Sequence, residues 1–167
     1  QNFFPQLDKP YFRADLILPE GYDLRATQQN IDTITQWLSE QQEVVKVSST
    51  VGSTPLRYYL ASGSTADRPN FGNLLVEVND KKYTKQVKER LDSFVMEHCP
   101  DVWLRSSLFK LSPVADAAIE IGFMGNNIDT LLSLSSQVEQ IMWQMEGAEN
   151  IRNSWGNRIP TWLPIYS

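Results

Sequence analysis

The chain has 167 residues, 41% of them apolar and 11% aromatic, which is enough for a packed core in one domain or two small ones. The formal net charge of −5 argues against a nucleic-acid-binding protein, which needs a basic surface. No apolar run approaches the roughly 18 residues that span a bilayer, and the single cysteine, Cys99, excludes an internal disulfide.

Alternating and helical patterns divide residues 11–109 into six predicted elements. Strand patterns occupy Tyr11–Leu18, Glu43–Val51, Asn73–Asn79 and Asp101–Phe109. Asp23 is the predicted N-cap of a helix between the first two strands, because apolar residues at helical spacing follow it. A second helix with an apolar face ends before Pro100. The order strand–helix–strand–strand–helix–strand is that of the ferredoxin-like split βαβ unit.

The remaining residues start the same pattern again. "AAIEIGFM" and "AENIRNSW" are predicted strands, and between them Asn127 is the predicted N-cap of a helix that runs from Ile128 to Met145. Shifting the chain by 104 positions aligns the two segments without a gap and places Gly21 on Gly125, Asp23 on Asn127, Leu38 on Met142 and Gly52 on Gly156. The predicted fold is therefore α+β, with a ferredoxin-like βαββαβ subdomain in 1–110 and half (βαβ) of a second one in 111–167.

A lone βαβ half exposes an unpaired sheet edge and half a core. We therefore expect either that the other half is encoded beyond Ser167 or that this half packs on the first subdomain. Since the chain begins abruptly at Gln1, it is expected to be a segment of a longer polypeptide.

The segment between the second and third predicted strands is unusual. This segment, called the Tyr58 loop below, is rich in Gly, Ser, Thr and Pro, yet it carries an apolar and aromatic island of Arg57, Tyr58, Tyr59 and Leu60. Loops of about twenty residues are uncommon in compact domains and are usually functional or disordered. The aromatic content favours a functional loop.

Three stretches together resemble a known family. "FFPQLDKPYFRADLILPEGYDLRAT", "VSSTVGSTPLRYYL" and "MEGAENIRNSWGNRIP" are similar, in this order and spacing, to the periplasmic porter region after transmembrane helix 7 of resistance–nodulation–division (RND) efflux transporters, in the hydrophobe/amphiphile exporter branch. The resemblance implies the periplasmic part of a proton-driven, multidrug-type pump subunit in the inner membrane of a Gram-negative bacterium. It also implies a homotrimer, a periplasmic adaptor protein and an outer-membrane channel as partners. In that family an inserted docking domain interrupts the second subdomain.

The resemblance also implies substrate-binding positions for small amphiphilic molecules. Arg57, Tyr58, Tyr59, Leu60 and Phe71 would lie beside the drug cleft, and Ile119, Ile121 and Phe123, on one face of a strand, would line it from the second subdomain. Aromatic faces suit mixed cargo because they give large contact area with little directional demand. The alternative is structural: Tyr58 and Leu60 cap the sheet, and the Ile119 strand packs on the following helix.

Enzymatic and metal functions have little support in the sequence. The single histidine, His98, ends a helix, and no nucleophile–base pattern, phosphate loop or metal-ligand cluster is present. We therefore expect no catalytic residues, no cofactor and no metal site. The four methionines are possible soft-cation ligands, but none lies in the Tyr58 loop, and Met142 and Met145 are expected in the core. The alternative function is a free-standing ferredoxin-like ligand-binding or regulatory domain.

Overall fold

The computed structural model describes residues 9–54, 67–109, 119–148, 151–156, 158–160 and 162–165. The chain divides into two compact units, Gln1–Val114 and Ala115–Ser167. Within the described ranges, no helix is long and apolar enough to cross a membrane.

The first unit has the predicted ferredoxin-like order of elements. These are β1 (Tyr11–Ile17), α1 (Leu24–Ser39), β2 (Val44–Val51), β3 (Phe71–Val78), a short 3₁₀ turn (Lys81–Tyr83), α2 (Thr84–His98) and β4 (Trp103–Leu108). The strands form one antiparallel sheet in the order β2-β3-β1-β4. The predicted α+β class is therefore confirmed, and the two outer strands lie where the split βαβ topology places them.

The core of this unit lies between the sheet and its two helices. Phe12, Ala14 and Leu16 alternate along β1 and are fully buried, as expected for one face of a strand. Opposite them, α1 buries Thr27, Ile31, Ile34 and Leu38 at helical spacing. Asp23 fixes the start of α1, because its carboxylate accepts a 2.8 Å hydrogen bond from the Ala26 amide.

The first unit is built from two similar halves, β1–α1–β2 and β3–α2–β4. Helix α1 begins at Leu24 and α2 begins at Thr84, 60 residues later. The same offset of 60 residues relates Ala14 of β1 to Leu74 of β3, which is its partner in the sheet. Neither half contains a pair of neighbouring strands, because β1 and β2 both pair with β3, while β4 pairs with β1. Each half therefore obtains its sheet partners from the other half.

The second unit contains α3 (Ile128–Trp143), which repeats α1 at the predicted spacing of 104 residues. Both helices have 16 residues, and the side chains of Asp23 and Asn127 cap their first turns. Their last turns also match: the amide of Glu40 donates to the Trp37 and Leu38 carbonyls, and that of Gln144 donates to the Ile141 and Met142 carbonyls. The predicted helix is confirmed, although it ends at Trp143 rather than at Met145.

Glycines support the same repeat. Gly52 and Gly156, also 104 residues apart, both have positive φ, at 82° and 64°. Such φ values favour glycine because it has no Cβ.

The strands predicted beside α3 do not form in the described residues. Residues 119–125 and 151–156 have no strand assignment. The reason follows from the first unit, where the two strands of one half never pair with each other. An alternating sequence favours an extended backbone, but a ladder needs a neighbouring strand.

The face of α3 that corresponds to the buried face of α1 is not covered by a sheet in the described residues. Leu131, Ser135, Val138 and Met142 occupy the positions of the four buried α1 residues, but they are only half-buried, and no residue of α3 is buried. Met145, expected in the core, is 60% exposed just beyond the helix.

Candidate functional site

The structure distributes the predicted site residues over both units. Arg57, Tyr58, Tyr59 and Leu60 lie outside the described residues. Phe71 opens β3 and is 3% exposed. In the second unit, Ile119, Ile121 and Phe123 are 68%, 54% and 37% exposed. The structural alternative predicted that these three side chains pack on the following helix. Ile119 and Ile121 are too exposed to fit it.

The base of the Tyr58 loop is closed by backbone hydrogen bonds. The Arg68 amide donates to the Gly52 carbonyl and the Gly52 amide donates to the Phe71 carbonyl, both at 2.7 Å. Gly52 has φ +82°, and a Cβ there would lie 2.9 Å from a methyl carbon of Leu24. The positive φ of this position therefore favours glycine, whereas the exposed Leu24 side chain could move away from an added Cβ.

Two buried side chains anchor the returning end of that loop to the body of the unit. The Asn70 amide group donates to the Leu18 carbonyl at 2.8 Å, and the Leu18 amide donates to the Asn70 carbonyl at 2.9 Å. The Thr27 hydroxyl, on α1, donates to the Pro69 carbonyl at 2.6 Å. The segment that carries the predicted aromatic island therefore leaves a base that is tied to β1, β3 and α1.

The far face of the sheet, which points away from α1 and α2, carries a polar network that crosses three strands. Asp15 of β1 is 3% exposed. Its carboxylate accepts hydrogen bonds from the Asn73 amide group at 2.6 Å and from Arg105 at 2.7 Å, and the Arg13 guanidinium lies 3.6 Å away. Arg13 Nε also donates to the Ser107 hydroxyl at 3.2 Å. A buried carboxylate needs such charged and polar partners.

Sequence reasoning missed this network. Apart from the ion pair of Arg13 with Asp15, its hydrogen-bonded partners are 58 to 94 residues apart in the sequence, so no local motif predicts them. The one available signal was the alternation in "YFRADLIL", where Arg13 and Asp15 interrupt an otherwise apolar strand.

An apolar row lies beside the polar network on the far face. Ile17 of β1 faces Phe71 of β3 on one side and Trp103 of β4 on the other. The next row on the same face has Asp15 of β1 in the middle, with Asn73 of β3 on one side and Arg105 of β4 on the other. Ile17 and Trp103 are half-buried, and the side chains of Arg13 and Arg105 are 18% and 25% exposed. The far face therefore presents apolar and charged groups side by side.

A shallow groove of about 460 Å³ lies on the outer side of the helices. Trp37 of α1 stacks on Phe94 of α2, which stacks on His98, with ring centroids 4.5 Å apart in both pairs. On its rim, Arg90 donates a 2.8 Å hydrogen bond to Glu43, and this bond holds the pKa of the Glu43 carboxyl below its ordinary value. The stack joins the two helices, which suffices to explain it.

Metal ligands are not gathered in the described part of the chain. There, no group of three or more His, Cys, Asp or Glu side chains could hold a metal ion. Met96 and Met124 are 77% and 99% exposed, and they belong to different units. Burial raises the pKa of the Cys99 thiol above its ordinary value.

Comparisons with known proteins identify a similar fold. No protein-family model matches the chain, and no curated protein sequence matches it significantly. Among solved structures, an X-ray crystal structure of a heavy metal efflux pump matches with a TM-score of 0.62 and 16% sequence identity. The match covers 89% of this chain but only 16% of the pump chain. At this identity the likeness establishes a shared fold, and the chain corresponds to a small part of that structure.

Proposed function

We propose that the chain is a periplasmic module of an RND-type, proton-driven export pump and helps to form the cleft that binds apolar or amphiphilic cargo. Two findings support a transport role: the family resemblance of three ordered stretches and the fold shared with a heavy metal efflux pump. The observation that carries the choice of cargo is the chemistry of the far face around Phe71.

An amphiphile has an apolar body and a polar end, and the far face offers a row for each. The Phe71–Ile17–Trp103 row gives apolar contact through its half-buried members Ile17 and Trp103. The partly exposed guanidinium groups of Arg13 and Arg105 lie beside that row, held in place by Asp15. Few, well-positioned polar groups beside an apolar surface are typical of small-molecule sites. The Tyr58 loop, whose base ends at Phe71, would supply further aromatic contact.

The assembly proposed for the whole pump follows from the family resemblance. It comprises a homotrimer of the full-length subunit, a periplasmic adaptor protein and an outer-membrane channel. The reading frame that encodes the chain provides the first test. A frame of about a thousand residues with about twelve membrane-spanning helices supports the pump. A frame that encodes no membrane-spanning helix supports the alternative, a free-standing ligand-binding or regulatory domain.

Export by cells that carry the full-length protein tests the site. We expect Tyr58→Ala or Tyr59→Ala to lower the minimum inhibitory concentration of some amphiphilic compounds at unchanged protein level, because one tyrosine would face the cleft. Met96→Ala, on the exposed side of α2, is the matched control and should leave the resistance profile unchanged. If neither tyrosine variant alters any amphiphile, the loop is scaffold rather than a cargo contact.

The same cells distinguish a second candidate cargo. The similar structure is that of a heavy metal efflux pump, and thioether sulfur suits soft cations such as copper(I) or silver. Under the amphiphile proposal, a triple variant in which leucine replaces each of the exposed Met96, Met124 and Met145 leaves resistance to silver salts unchanged. A selective loss of silver resistance would instead favour a metal cargo.

A further inference from the structure

The far face of the first unit carries an excess of positive charge on its strands. Arg13 and Arg105 flank a single carboxylate, Asp15. Lys46 of β2 and Glu77 of β3, which are partners in the sheet, balance each other on the same face. Among the strand residues of this face, the positive charges therefore outnumber the negative ones, although the whole chain has a net charge of −5.

Both guanidinium groups approach the same oxygen of Asp15. Arg105 donates to Oδ2 at 2.7 Å, whereas Nη2 of Arg13 lies 3.6 Å from it, too far for a hydrogen bond. Within the described part of the chain, Arg13 donates its hydrogen bond from Nε, to the Ser107 hydroxyl at 3.2 Å. A guanidinium carries five N–H donors. The two terminal nitrogens of Arg13 therefore keep donors for a ligand, on a side chain that is 18% exposed.

The hydroxyl of Ser107 adds a donor at the same place. Its oxygen accepts the hydrogen bond from Arg13 Nε, which leaves its own O–H group to donate. Ser107 is half-buried and lies opposite Arg13 in the pairing of β1 with β4. An oxyanion beside these two residues would therefore accept from a guanidinium and from a hydroxyl. Hydrogen bonds between a guanidinium and an oxyanion are charge-assisted, and they are stronger than those between neutral groups.

The apolar row lies at a distance that suits an amphiphile. Neighbouring residues on one face of a strand are two positions apart, which is about 7 Å along the strand. Ile17 and Arg13 are two such steps apart on β1, as are Trp103 and Ser107 on β4. The central carbon of the Arg105 guanidinium lies between the two levels, 5.9 Å from the centre of the Trp103 ring. A molecule whose polar and apolar ends are roughly 10 Å apart can therefore contact both.

We propose that the far face selects anionic amphiphiles. Arg13 and Ser107 bind a carboxylate, sulfate or sulfonate head group, and Ile17 and Trp103 contact the apolar body. This inference rests on the proposed function, because it names the class of cargo for the same site. Selection against cations follows from burial: the Asp15 carboxylate is 3% exposed, so a cationic head group meets the guanidinium groups first and is repelled by them.

Detergents that share a dodecyl chain and differ in head group test the preference. Dodecyl sulfate is anionic, dodecyl maltoside is neutral and dodecyltrimethylammonium is cationic. Cells that lack their own exporters and carry the full-length protein are compared by minimum inhibitory concentration, at matched protein level. Arg13→Gln should lower resistance to dodecyl sulfate about fourfold or more, because it removes a charged donor, and should leave resistance to the other two detergents unchanged. Arg13→Lys, which keeps the charge, should retain part of the resistance.

Two further variants make the test specific. Ser107→Ala removes one donor and should cause a smaller loss of resistance, again confined to dodecyl sulfate. It also decides the question if Arg13→Gln does not accumulate. Lys46→Gln is the matched control, because it removes one positive charge from an exposed position on the same face, opposite Glu77. This control should leave resistance to all the detergents unchanged.

The same comparison separates this inference from the proposed function. If the wild-type protein confers resistance but the Arg13 and Ser107 variants alter resistance to every detergent equally, or to none, the head-group preference is overturned and the export role stands. Resistance to the neutral or cationic detergent without resistance to dodecyl sulfate has the same meaning. If the wild-type protein confers resistance to none of these detergents, both the inference and the amphiphile export on which it rests are overturned.

Discussion

Gly72 shows how a single missing side chain positions a helix against the sheet. A Cβ at this β3 position would lie 2.2 Å from Cδ1 of Ile31, which is buried on α1. Real Cβ atoms do not approach so closely, and the strand backbone allows little adjustment. The absence of a side chain therefore determines how closely α1 approaches β3.

We expect Gly72→Ala to lower the free energy of unfolding by about 1–3 kcal/mol, the usual effect of overpacking a core. Ile31→Val removes the crowded methyl group, so the double variant should regain part of the loss. Urea denaturation of the two single variants and the double variant measures this coupling. Gly122→Ala is the control, because its added Cβ meets nothing within 4 Å. Equal effects of Gly72→Ala and Gly122→Ala would contradict the packing argument.

At the scale of elements, the Asp15 network determines how β1, β3 and β4 are joined on the far face. The backbone ladders alone hold these strands in register, but the carboxylate adds side-chain bonds to Asn73 and Arg105 from both neighbours. Removing the Asp15 carboxylate takes a hydrogen-bond acceptor away from the Asn73 amide group and from the partly buried Arg105 guanidinium, which is costly for buried donors.

Asp15→Ala should therefore destabilise the first unit by about 2–4 kcal/mol, toward the lower part of the range for broken buried pairs because Arg105 is partly exposed. Ser107→Ala is the comparison, since it removes only the bond from Arg13 Nε and should cost about 1 kcal/mol. Chemical denaturation followed by far-ultraviolet circular dichroism distinguishes them. If the two variants are equally stable, the network contributes little beyond the ladders.

The elements themselves were largely predictable from the sequence. Strand alternation and helix caps are local signals, so Asp23, Asn127 and the limits of β1 and α3 were found within two residues. The strands beside α3 were not, because strand formation depends on a neighbour that local patterns do not specify. The network at Asp15 was missed for the same reason, because only the pairing register brings Asn73 and Arg105 to it.

At the scale of the whole molecule, the two units provide an internal comparison of helix and sheet stability. The helices α1 and α3 have the same length and equivalent caps, but α1 buries four side chains against a sheet and α3 buries none. Most helix stability in proteins comes from tertiary packing rather than from intrinsic propensity.

Hydrogen exchange should therefore separate the two helices. In a dilute, monomeric sample, we expect the amides of α1 to exchange at least about tenfold more slowly than those of α3, because local opening costs little where apolar contacts are few. Mass spectrometry of peptides that cover residues 24–39 and 128–143 measures the difference. Equal protection of both helices in a monomer would show that α3 is covered within its own chain.

The separation of β1 from its partners also affects how the protein folds as it is synthesised. The chain emerges from its amino end, but no strand pairs with β1 until β3, 60 residues later, has left the ribosome. Pairing over such distances carries a loop-closure cost and slows folding. Helix α1 needs only local contacts and can form earlier, but at that stage no sheet covers its apolar face. The strands are therefore not synthesised in the order in which they pair. Until β3 has been synthesised and has paired with β1, the nascent chain exposes Ile31, Ile34 and Leu38.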